Sequence, residues 1–215
     1  EKYIPWICVS QNKLNEKFIR KYSDKLFWQD ISKYQILSEK FIREFKDKVY
    51  WEDISWRQKL SEDFIREFKD YLNWSYISKY QKLSQNFIRE FKDKVVWIEI
   101  SFKQKLRVNF IREFKDKLNW DDISIYQKLS IDFIREFKDR IAWTIICLNK
   151  NLNENIILKI HEILCEFYID DKTNIYYDNF DYLFHNYLNN IFKHQKILFS
   201  KDFRSEERRV GKECR

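Results

Sequence analysis

Tryptophan recurs at positions 28, 51, 74, 97, 120 and 143, a step of 23 residues that never slips. Between those markers lie five full copies that read close to W-x-x-I-S-x-x-Q-x-L-S-x-x-F-I-R-E-F-K-D-x-V/L-x. A unit of this length cannot bury an apolar face alone, so copies must stack and share a core. The chain therefore has to be an array before it can be anything else.

Within a copy, Phe41, Ile42, Phe45 and Val49 follow i, i+1, i+4, i+8, which predicts a helix over 39–49 with Ser38 as its N-cap and Glu39 in the first turn. Trp51, Ile54, Ser55 and Gln58 follow i, i+3, i+4, i+7 and predict a second, shorter helix. Neither would persist alone in water, and stacking at the usual helix spacing buries both. The fold expected is an all-α solenoid of two-helix repeats. The competing reading is a leucine-rich-repeat-like α/β coil, in which V-x-W-x-x-I would be a short strand. Its unit length also fits. The chain has Gly 1 and Pro 1, so it lacks the residues that turn such coils and hairpins, and the all-α reading is preferred. The same scarcity excludes Gly-rich phosphate loops. No run approaches the roughly 18 apolar residues a membrane span needs.

The outer copies differ. Trp6 to Phe27 is a weaker copy, one residue shorter; Trp143 opens another that decays, with Ile146, Cys147, Leu152, Ile156, Ile157, Ile160 and Leu164 keeping its register. Both share a variant, LNEKFI at 14–19 and LNENII at 152–157. Atypical end copies suit a stack that needs solvated outer faces. The array is thus expected over 1–165, with 166–203 supplying closing helices. Residues 204–215, RSEERRVGKECR, read as the translation of a short-read sequencing adapter and are set aside as non-native. They hold the only glycine, and their five basic and three acidic residues account for two of the seven net positive charges. The chain begins with Glu1 and contains no Met, which predicts a fragment of a longer reading frame. Cys8, Cys147 and Cys165 do not resemble a disulfide framework and favour a reducing compartment.

Three sets of columns bear on function. Gln35, Gln58, Gln81, Gln104 and Gln127 recur in every full copy and are expected to be a structural ladder, their amides satisfying backbone groups between layers. Ser32 and its equivalents read as small residues at a close helix contact. Arg43, Arg66, Arg89, Arg112 and Arg135 could track phosphates, but Asp47, Asp70, Asp93, Asp116 and Asp139 follow four residues later, and Glu44 precedes Lys48 likewise. That spacing predicts i, i+4 pairs on a solvated face, a poor polyanion track. The column Tyr34, Arg57, Tyr80, Lys103, Tyr126 alternates in type, as do its neighbours Lys33, Trp56, Lys79, Phe102, Ile125 and the series Tyr50, Asn73, Val96, Asn119, Ala142. The array therefore reads as copies of a 46-residue double unit. The Tyr/Arg/Lys column is the binding candidate, since Tyr and Arg are enriched at interface hot spots. The same residues also suit single-stranded nucleic acid.

Catalysis has little support. His161, His185 and His194 lie outside the full copies, and His161 with Cys165 is too sparse a pair to predict a metal. No cofactor and no catalytic residue are expected. Asn73-Trp74-Ser75 is a formal glycosylation sequon in what reads as the repeat core. Arg107 replaces the serine of the cap column, which predicts a frayed start to that helix.

The wording W-x-x-I-S-x-Y-Q-x-L-S-E-x-F-I-R-E-F-K-D-K-V resembles repeats in uncharacterised proteins of giant nucleocytoplasmic DNA viruses, over roughly 6–165, about three quarters of the chain. The resemblance implies a viral source and the cytoplasm of an infected cell, or the virion, as its place; it carries over no activity and no site residues. The expectation is a non-enzymatic scaffold that binds another protein and no membrane, with nucleic-acid binding along the Tyr/Arg/Lys column as the alternative.

Overall fold

The computed structural model describes residues 5–143 and 145–152, with the isolated positions 156, 159, 160 and 163. The expected closing helices over 166–203, the tail 204–215, and His161, Cys165, His185 and His194 lie outside the described residues. Among the described residues there are twelve short α-helices and no strand. Where a leucine-rich coil would place its strand, around Trp51, the chain is helical. The fold is the all-α solenoid.

Helices come in pairs, one pair per copy. The first copy holds α1 (Trp6–Gln11) and α2 (Glu16–Lys21), followed by α3 (Trp28–Tyr34) and α4 (Glu39–Glu44). Next come α5 (Trp51–Arg57) with α6 (Glu62–Glu67), and α7 (Trp74–Tyr80) with α8 (Gln85–Glu90). The last are α9 (Trp97–Lys103), α10 (Val108–Glu113), α11 (Trp120–Tyr126) and α12 (Ile131–Glu136). The chain divides into two compact units, Glu1–Gln104 and Lys105–Arg215. In the first, α3 packs between α1 and α5, and α7 between α5 and α9. In the second, α11 packs on a short 3-10 turn, Ile146–Leu148.

Local chemistry sets the helix bounds. Ser38 caps α4 by accepting from the Phe41 N–H at 3.2 Å, and Ser61, Ser84 and Ser130 do the same for their helices. The cap's own N–H is satisfied from the copy before: Ser38 donates to Glu16 at 2.7 Å and Ser61 to Glu39 at 2.6 Å. The second helix is shorter than the spacing predicts. It stops at Glu44, not 49, because Phe45 leaves the helical region (φ −114°, ψ 28°). A tight turn follows, in which Lys48 and Val49 both donate to the Phe45 carbonyl, and it returns Val49 to the core.

The core repeats with the sequence. Ile31, Phe41 and Ile42, with their equivalents in the other four full copies, are fully or almost fully buried, each worth about 1.5–3 kcal/mol on leaving water. Trp28 rests on Phe45 with ring centroids 4.8 Å apart and donates its indole N–H to the Ser23 carbonyl at 2.8 Å. Trp51, Trp74 and Trp120 repeat both contacts. The indole thus pins the start of a copy to the turn that precedes it.

Candidate functional site

Two invariant polar columns are consumed by the fold. Gln58, almost wholly buried, donates from Nε2 to the Ser32 and Gln35 carbonyls at 3.4 and 2.8 Å, while its Oε1 accepts from Leu37 N–H at 3.0 Å. Gln35, Gln81 and Gln104 make the same three bonds within the first unit. In the second unit Gln127 accepts from Leu106 N–H at 3.0 Å. In the first unit, then, each of these amides closes three backbone groups between layers.

The serine column does more than provide a small side chain. Ser55 is fully buried; its hydroxyl donates to the Trp51 carbonyl at 2.6 Å and accepts from Asn73 N–H at 2.9 Å. Ser10, Ser32, Ser78 and Ser124 repeat the relay. One hydroxyl therefore ties a helix to the entry of the next copy's first helix. A serine at fixed spacing before a helix end was the only signal for it.

The arginine column is paired, but not as the spacing predicts. Arg43 does not meet Asp47: α4 has ended by then, and the turn carries Asp47 away from the helix face. Its Nε donates instead to Glu67 of the following copy at 2.7 Å, and Arg20 and Arg66 reach Glu44 and Glu90 in the same way. Lys48 likewise reaches Asp24 of the preceding copy at 2.7 Å rather than Glu44, and Lys94 reaches Asp70. These contacts hold the Asp24 and Asp70 carboxyls below the usual carboxylate range, chiefly through the lysine hydrogen bonds. In the second unit Arg112 pairs with Glu136 and Arg140 with Asp116. The face is neutralised across copies, which leaves it a poor track for phosphates.

The alternating column has a different character. Tyr34, Arg57, Tyr80 and Lys103 are the last residues of α3, α5, α7 and α9, all exposed at one edge of the first unit. Their side chains make no hydrogen bond and no ion pair among the described residues. Tyr126, the last residue of α11 in the second unit, is exposed as well. The Arg57 guanidinium lies 3.7 Å over the Trp56 ring, and Lys103 Nζ lies 3.9 Å from the Phe102 ring centroid. Trp56 is the residue the sequence left in the background. Its ring sits 6.1 Å from both Tyr76 and Tyr80, which are 6.0 Å from each other. On either side of this aromatic group, Lys79 pairs with Glu99 at 3.2 Å, and Asp53 feels Lys33 and Arg57.

Comparison with protein-family models, with curated proteins and with solved structures finds no match to this chain. The described residues contain no group of three or more His, Cys, Asp or Glu able to hold a metal ion. No described helix is long and apolar enough to cross a membrane. Cys8 carries an exposed thiol outside any disulfide. The sequon residue Asn73 is not in the core: it is exposed and N-caps α7, its Oδ1 accepting from Ser75 and Tyr76. Asn119 caps α11 through Asp122 N–H, whereas Tyr50 and Val96 at the same place give α5 and α9 no side-chain cap. Capped and uncapped first helices thus alternate from α5 to α11, while α3, behind Phe27, is uncapped like α5.

Proposed function

We propose that this chain is a non-enzymatic scaffold that binds another protein along the edge carrying Tyr34, Arg57, Tyr80 and Lys103, with Tyr126 continuing the column in sequence. The observation behind the reading is a division of labour. Positions that keep one residue in every full copy, such as Gln58 and Ser55, spend their polar atoms on the fold. The side chains of Tyr34, Arg57, Tyr80 and Lys103, at the exposed edge of the first unit, spend none. Residues of those types, Tyr, Arg and Trp, anchor protein interfaces out of proportion to their abundance. On this reading the protein acts in the cytoplasm of a virus-infected cell or in the virion, and no cofactor takes part.

Panning a random peptide library on the full chain and on a Tyr34→Ala/Arg57→Glu/Tyr80→Ala variant tests this. Peptides retained by the first and lost by the second support it. No enrichment, together with salt-sensitive binding of oligonucleotides that the variant loses, would move the column to nucleic acid.

A further inference from the structure

The edge of the first unit alternates ring and cation, layer by layer: Tyr34, Arg57, Tyr80, Lys103. Both cations are held on aromatic supports, Arg57 on Trp56 and Lys103 on Phe102. A guanidinium lying against a ring keeps its N–H edge directed outward, where a carboxylate can be gripped by two bonds. Acids two residues after the tryptophan in three of these helices break up its positive charge: Asp30 accepts from Gln11 at 3.4 Å, Glu99 is spent on Lys79, and Asp53 lies in the field of Lys33 and Arg57. A polymer charged at every step would be repelled at those layers. One with carboxylates at intervals would not.

The interval follows from helix packing. Neighbouring helices lie about 8–10 Å apart. A polyproline-type segment rises about 3.1 Å per residue and completes a turn every three, so one turn spans about one layer. Arg57 and Lys103 are two layers apart, hence six residues of such a segment. The residue midway would meet Tyr80, whose ring stands with those of Trp56 and Tyr76. Aromatic-lined surfaces of this kind receive prolines in other extended-peptide complexes.

We propose that this edge binds an extended acidic polypeptide segment with carboxylates six residues apart and a proline or other apolar residue midway between them. The proposal rests on the protein-binding reading above and deepens it. Its test is fluorescence anisotropy of the full chain with a labelled peptide repeating Glu-Ala-Ala-Pro-Ala-Ala, at low and physiological salt. Saturable binding is expected, weakened by about tenfold or more in Arg57→Glu/Lys103→Glu and clearly reduced in Trp56→Ala. Both charge reversals are at exposed positions, and an unchanged circular dichroism spectrum verifies the fold. Equal binding of a peptide of the same composition with its glutamates adjacent would overturn the register, and so the proposal. Binding of oligothymidylate alone, lost in the same variant, would overturn it in favour of nucleic acid. If the library yields column-dependent peptides of other chemistry while the Glu/Pro peptide does not bind, this inference fails and the scaffold reading stands. If neither binds, both fail.

Discussion

At the end of α3, the Gln35 amide reaches back to the Ser10 and Asn12 carbonyls; after the 3-10 turn of the second unit, Asn149 reaches back to those of Ser124 and Gln127. The inner copies place a glutamine seven residues after their tryptophan, and the last described copy places an asparagine six residues after its own. A 3-10 turn rises about 2.0 Å per residue against about 1.5 Å for an α-helix, so fewer residues cover the same path and a side chain one methylene shorter suffices. The acceptor half differs. Gln58 Oε1 takes an N–H from the copy before, whereas Asn149 Oδ1 turns to Asn151 of its own copy. Asn12, in the equivalent place of the first copy, folds onto the Cys8 carbonyl of its own helix at 2.6 Å. What Asn149 keeps of the bonding pattern between layers is its donor half.

The largest predicted effect tests that comparison. Gln58→Leu strips partners from the Leu37 N–H and two carbonyls in a buried layer, and at about 1–3 kcal/mol per stranded group it should cost about 4 kcal/mol. Asn149→Leu strands two carbonyls at the last described copy and should cost about half as much. Urea midpoints measure both, and equal losses would mean that the end copy is no weaker a link than the inner ones. Ser55→Ala ranks next: it removes one donor and one acceptor from a buried relay, for about 2 kcal/mol. A midpoint shift near zero would show that the hydroxyl is only filling space, as the sequence had suggested.

How much could be read in advance follows from the range of each interaction. The 23-residue period, the Ser38 cap and the glutamine ladder were legible because their signals are local or repeat identically in every copy. The ion pairs were not. Arg43 has Asp47 four residues on and Glu67 twenty-four on, and only the early end of α4 decides between them. The Ser32 hydroxyl was missed for a similar reason, since the Tyr50 N–H it accepts lies eighteen residues away, at the entry to the next copy. Nor could Trp56 be placed against Tyr76 and Tyr80 without knowing that α5 packs on α7.

A smaller effect compares capped and uncapped helices. Arg107 gives α10 no side-chain cap, yet α10 spans six residues like the serine-capped α8 and α12, so the predicted fraying does not shorten it. The missing bond should still be measurable. Arg107→Ser is expected to raise stability by about 1 kcal/mol. A thermal midpoint that stays put would remove the cap column as an energetic feature, and the matched length of α10 would then have its explanation in packing alone.

The smallest effect sets two acids of the first unit against each other. Burial pushes the Glu16 carboxyl up, but the hydrogen bonds from Ser38 and the charge of Arg20 outweigh it, so Glu16 ionises more readily when folded. Its contribution is therefore complete above the unfolded value, about 4.3, and is lost as pH falls through the lower folded value. Asp53 runs the other way. Burial raises its carboxyl, and Lys33 and Arg57 only partly offset that, so ionised Asp53 opposes folding and its protonation relieves the strain as pH falls. Acid titrations of stability should separate them: Glu16→Gln flattens the acid limb, and Asp53→Asn steepens it slightly while raising stability near neutral pH. If Glu16→Gln left the acid limb as steep as before, Ser38 would not be drawing on Glu16 for its cap, and the link between one copy's first turn and the next copy's N-cap would have to be given up.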